Sequence, residues 1–78
     1  MIELKYPVIL TEDDNGSVIA EFIDIPEAIT CGLTEELALK FAKDALLIIL
    51  EDYIDQGRSI PVPSKFNEWH PTVSIFLI

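Results

Sequence analysis

Apolar positions along the chain alternate, then recur at helical spacing, then run together, and each change predicts an element. Tyr6 to Thr11 is a short apolar run with β-branched Val8 and Ile9, which predicts a first strand. Pro7 cannot donate to a ladder and is expected at the strand's start or on an unpaired side. Asp13-Asp14-Asn15-Gly16 follows, and Asn-Gly tolerates the positive φ of a tight hairpin turn. Ser17 to Ile23 returns as a second strand, with Val18, Ala20 and Phe22 on one face and Ile19, Glu21 and Ile23 on the other. Ala20 is small enough to let a helix come close to the sheet. Pro26 ends this strand, because it fixes its own φ and steers Ile25 away from helix. Ala28 to Cys31 predicts a third short strand, closed by Gly32.

Thr34 is a good N-cap, and Glu35 and Glu36 place negative charge on the first helical turn. Helical spacing then continues to about Gln56, with Gly57 as the C′ residue. The helix would be roughly 22 residues, or about 33 Å long. Leu37 or Ala38, Phe41, Ala42, Ala45, Leu46, Ile49 and Tyr53 form the stripe expected to cover the sheet. Ile60-Pro61-Val62-Pro63-Ser64 is extended, Lys65 to Pro71 connects, and Thr72 to Ile78 is a β-rich run. The order β-β-β-α-β predicts an α+β fold: a small sheet covered on one face by one long helix. If the last strand paired parallel to the first, the crossover would be right-handed.

Two surfaces depart from this scheme. On the helix, Glu36, Lys40, Lys43, Asp44, Glu51 and Asp55 mark the polar face, yet Leu47 and Ile54 fall on it and Leu50 lies near its edge. Apolar residues rimmed by charge are a candidate interface, so Leu47, Leu50, Ile54, Glu51 and Asp55 are candidate partner-binding residues. The last strand is apolar almost throughout, which suits burial on both faces. A single helix covers one face only. Ile75, Phe76, Leu77 and Ile78 are therefore candidates for an oligomer interface, with the outer sheet face carrying Ile19 and Ile23 as a further one.

Composition narrows the possible partners. The chain has 78 residues, enough for one domain, residues 1–78. Half of the residues are hydrophobic, and mean hydropathy is +0.36. Fourteen acids against five Lys and Arg give a net charge of −9. Phosphate contacts need Lys and Arg, so direct nucleic-acid binding is not expected. A basic protein is the better match. The single cysteine, Cys31, excludes an internal disulfide and fits a reducing cytoplasm. The longest apolar run, Ala45 to Leu50, is far short of the roughly 18 residues of a membrane span. No signal peptide is read at the N-terminus.

Nothing in the chain sets up catalysis. Cys31 and His70 lack the orienting group that a nucleophile pair needs; Cys31 reads as a small buried hydrophobe and His70 as a connector residue. There is no phosphate loop, dinucleotide fingerprint or metal-ligand spacing. No catalytic, cofactor-binding or metal residue is assigned, and no cofactor is expected.

Three segments carry a resemblance. Asn15 to Pro26, ending in Asp24-Ile25-Pro26, resembles the second strand and turn of HicB-like antitoxins. Gly32-Leu33-Thr34-Glu35-Glu36-Leu37-Ala38 resembles that family's helix start, and Arg58-Ser59-Ile60-Pro61-Val62-Pro63-Ser64 its helix exit. The resemblance covers about residues 4 to 78. It departs at Pro26-Glu27-Ala28, where the family usually has Pro-Gly-Cys, so that loop is expected to differ locally. The resemblance implies a partial RNase H-like fold and an antitoxin that binds and silences HicA, a small basic ribonuclease. Family members usually add a DNA-binding module after the last strand; the chain stops at Ile78, where that module would begin, so operator binding is not expected of these residues. The implied fold raises a metal-dependent nuclease as an alternative, but two-metal catalysis needs carboxylates converging on ions about 3.5–4 Å apart, and the first strand carries none. A homo-oligomeric scaffold without a toxin is the other alternative.

Overall fold

A computed structural model describes residues 2–65 and 70–77. The element order is β1 (Ile2–Glu12), β2 (Val18–Phe22), β3 (Ile29–Gly32), α1 (Glu35–Asp55) and β4 (Thr72–Leu77). The strands form one sheet in the order β3-β2-β1-β4, with α1 packed on one face, as the apolar spacing predicts. Each neighbouring pair is antiparallel, including β1 with β4, so the parallel crossover does not arise.

Strand β1 is longer than expected, and Pro7 divides it. Ile2 to Pro7 pair with Leu77 to Thr72, whereas Val8 to Glu12 pair with Phe22 to Val18. Pro7 therefore sits within the strand, at the point where one ladder hands over to the other and the missing N–H costs least. The sheet is staggered in consequence: β4 flanks one half of β1, and β2 with β3 flank the other.

The first hairpin closes through Gly16, whose φ of 88° suits glycine. Its N–H donates to the Asp13 carbonyl at 2.9 Å. At the start of α1 the Thr34 hydroxyl accepts from the Leu37 N–H at 3.1 Å. The other end closes as a Schellman motif: Gly57, with φ of 71°, donates to the Ile54 carbonyl, and the Arg58 N–H donates to the Tyr53 carbonyl.

Tyr6, Val8, Ala20, Phe22 and Val73 meet Ala38, Ala42, Leu46 and Leu50 in the core. Alanines and Gly32 set a short helix–sheet distance. A Cβ on Gly32 would lie 2.6 Å from the Ala38 nitrogen, so only glycine fits there. The same closeness decides within the expected stripe: Ala38, not Leu37, faces the sheet together with Ala42, whereas Phe41 is exposed. Cys31 is likewise exposed rather than buried, because it lies opposite Ile19 on the outer face of β3.

Candidate partner-binding groove

The second half of α1 crosses the sheet beside β1 and β4 and leaves a groove of about 530 Å³. Ile2, Leu47, Leu50, Glu51, Ile54, Ile60, Ile75 and Phe76 line it. Two candidate sets read from different parts of the sequence are thus brought together: Leu47, Leu50, Glu51 and Ile54 from the helix, Ile75 and Phe76 from the last strand. Within the groove they separate into floor and walls. Leu50 and Ile75 are 2% and 1% exposed. This corrects the expectation that Leu50 is solvent-facing and that the Ile75 side chain is free for an oligomer: both belong to the core. Ile54 and Phe76 are each 55% exposed and form the accessible walls, with Leu47 less open. Asp55 is exposed on the last turn of the helix. Leu77 is placed by its pairing with Ile2, and Ile78 lies outside the described residues. Ile2 and Ile60 were not singled out from the sequence; each becomes part of a surface only through contacts far along the chain.

Glu51 is the charged residue of the groove's lining. From Asp44 to Gln56 the helix carries Asp44, Glu51, Asp52 and Asp55 and no base, and its last turn holds no basic residue. The carbonyl end of a helix favours cations, by about 0.3–1 kcal/mol per charge. Three acids there oppose the chain's own stability, and departures of this kind are expected at functional surfaces. Arg58, the nearest base along the chain, lies 3.9 Å over the Tyr53 ring.

Polar contacts hold the segment after α1 against the sheet. The Tyr6 hydroxyl donates to the Pro61 carbonyl at 2.7 Å. The Asp24 carboxylate accepts from the Ser64 N–H at 2.9 Å and also from the Ser64 hydroxyl. The two segments that resemble a family turn and a family helix exit are therefore two halves of one clamp, and the clamp places Ile60 in the groove. Glu27, at the departure from the family pattern, closes a turn with no positive φ. Its carboxylate accepts from the Tyr53 hydroxyl at 2.9 Å. This bond raises the Tyr53 pKa above its ordinary value of 10.0; burial and the Glu27 charge add to the effect, and Arg58 opposes it. Burial raises Tyr6 as well, helped by the charge of Asp24.

Among the described residues no group of three or more His, Cys, Asp or Glu side chains could hold a metal. No described helix is long and apolar enough to cross a membrane. Glu12, Asp13 and Asp14 are exposed at the hairpin, far from any convergent arrangement.

Fold and groove together make a small α+β domain with an apolar cleft whose lining includes Glu51. Residues 5–77 match the family model described as HicB-like antitoxin of bacterial toxin-antitoxin systems, and the chain belongs to that family. It is 44% identical over 64 residues to Antitoxin HicB of Escherichia coli strain K12, covering 82% of this chain and 46% of that protein. It is 43% identical over 65 residues to Antitoxin HicB 1 of Photorhabdus laumondii subsp. laumondii, covering 83% of this chain and 42% of that protein. The chain thus spans less than half the length of these curated relatives. The crystal structure of the N-terminal domain of Burkholderia pseudomallei antitoxin HicB superposes with a TM-score of 0.76 at 18% identity, over 96% of this chain and 99% of that one. That likeness shows the fold.

Proposed function

We propose that residues 1–78 act as a single toxin-binding domain that neutralises a small basic ribonuclease of the HicA type by holding it against the groove. The observation that carries this reading is the cleft beside the second half of α1, apolar within, with Glu51 in its lining and no basic residue in the helix's last turn. Ile54 and Phe76 supply apolar contact, and Glu51 and Asp55 attract and orient a basic surface. The domain works by occupying its partner, without a catalytic group or cofactor of its own. It acts in the cytoplasm and makes no direct contact with DNA, since its few bases cannot carry a phosphate interface. Self-association is part of the reading, through a surface away from the groove. A scaffold without a toxin is the competing reading, favoured by the apolar outer face of the sheet.

Calorimetric titration with the small basic protein encoded beside this gene tests the reading. Binding is expected, with inhibition of RNA cleavage, and it weakens as salt rises because screening shortens the reach of charge to about 10 Å at 0.1 M. Glu51→Lys with Asp55→Lys is expected to weaken it at least tenfold. Absence of binding at about 50 mM salt, where the reach of charge is longer, overturns the proposal.

A further inference from the structure

The face of the sheet opposite α1 is divided by the stagger at Pro7. Beside β4 it carries Glu3, Lys5, Thr72, Ser74 and Phe76, placed there by the register of β1 with β4, and Phe76 also borders the groove. Across β1, β2 and β3 it is different. One row runs Ile9, Glu21, Ile29, and the next runs Thr11, Ile19, Cys31, with Ile23 at the end of β2. Ile29 is 57% exposed, and Ile9 and Ile23 are 42% exposed each. Glu21 is the single charge in this patch, and the positions directly across from it are the uncharged Ile9 and Ile29.

We propose that this patch is where a second copy of the chain docks, face to face, and that it is separate from the toxin-binding groove. The charge balance selects the occupant. Two chains of net charge −9 repel, so they can meet closely only through a surface nearly free of charge, and this patch is such a surface. A basic partner would find one carboxylate here, against Glu51 and the acidic helix end at the groove. Face-to-face packing buries the β-branched side chains at the usual sheet spacing of about 10 Å. An interface confined to these few side chains gives a weak dimer.

Sedimentation equilibrium of the intact chain, followed across salt, reads this directly. Dimerisation is expected to tighten as salt rises, because screening removes repulsion while the apolar contact remains. Ile29→Asp and, separately, Ile23→Lys should each raise the dimer Kd at least tenfold while the circular dichroism and melting profile stay as in the parent chain. Ile54→Asp, in the groove, should leave the dimer Kd within about twofold, consistent with independence of separate sites. Cys31, exposed in the patch, gives a second readout: a short bis-maleimide should link two copies in the parent chain and fail in the two variants. A monomer throughout, a dimer that weakens with salt, or a dimer lost in Ile54→Asp and kept in Ile29→Asp each overturns the proposal. None of these outcomes alters the toxin titration, so toxin binding and self-association fail separately.

Discussion

The groove at the end of α1 and the outer face of β1–β3 both expose aliphatic side chains, and they differ in what surrounds them. Glu51 lines the groove, and the helix end beside it carries further acids and no base, an unfavourable place for them. The outer face has a lone Glu21 among isoleucines. The difference teaches that exposed apolar area marks a candidate surface, whereas the charge around it bears on the kind of partner. On the proposed reading, acids beside the cleft disfavour copies of this acidic chain and favour a basic protein, while the neutral patch permits a second copy. Opposite responses to salt are the physical signature of that division.

How far this division was legible in the sequence differs between the two sites. The outer face was readable from strand alternation, because Ile19 and Ile23 fall opposite Ala20 and Phe22 whatever the tertiary arrangement. The groove was readable only in pieces. Ala45 to Leu50 is apolar all round the helix, so periodicity there cannot fix which side is buried, and Leu50, near the edge of the polar face by spacing, is in the core. Phe41 was misplaced for a different reason: the helix approaches the sheet too closely at Gly32 and Ala38 for a large side chain. Turns and caps at Gly16, Thr34 and Gly57 were legible because their signals are local. The antiparallel return of β4, the clamp between Asp24 and Ser64, and the use of Glu27 by Tyr53 join residues far apart in the chain, and no local pattern encodes them.

The largest effect expected within the groove separates its floor from its walls. Leu50→Ala removes a buried side chain and should cost about 2–5 kcal/mol of stability. Ile54→Ala, on the exposed wall, should stay within about 0.5 kcal/mol. Urea denaturation measures both. Comparable losses in the two variants would mean that the floor and the walls are not distinct, and that Ile54 belongs to the core.

A smaller effect tests whether the groove depends on the clamp while the outer face does not. Asp24→Ala removes two hydrogen bonds to Ser64. At a partly exposed site this should lower stability by about 1 kcal/mol. Amide exchange should speed up in the segment around Ile60 and stay unchanged in β2 and β3. Faster exchange in β2 and β3 to the same degree would show that the clamp supports the whole sheet and that the two regions are not independent.

The smallest effect is the response to alkali, and it should reach the groove side alone. Tyr6 and Tyr53 both have raised pKa values. Above pH 10 the unfolded chain releases these protons first, so it binds fewer protons than the folded chain and stability falls as pH rises. Their contribution is complete below pH 10.0, the ordinary tyrosine value, and is lost as pH rises through the folded values. Tyr6 ionisation also ends its donation to Pro61, which releases the segment bearing Ile60 from the groove. The outer face carries no tyrosine, so dimerisation should persist over the pH range in which the groove loosens. Tyrosine ionisation followed by absorbance near 295 nm, with denaturant midpoints taken at about pH 9 and pH 11, gives the comparison. Tyr6→Phe should reduce the alkaline fall, because the phenol that titrates is gone, and should already show faster exchange around Ile60 at neutral pH. An alkaline fall of unchanged size in Tyr6→Phe would assign the effect to Tyr53 and its bond to Glu27. It would also remove Tyr6 as the link between ionisation and the shape of the groove.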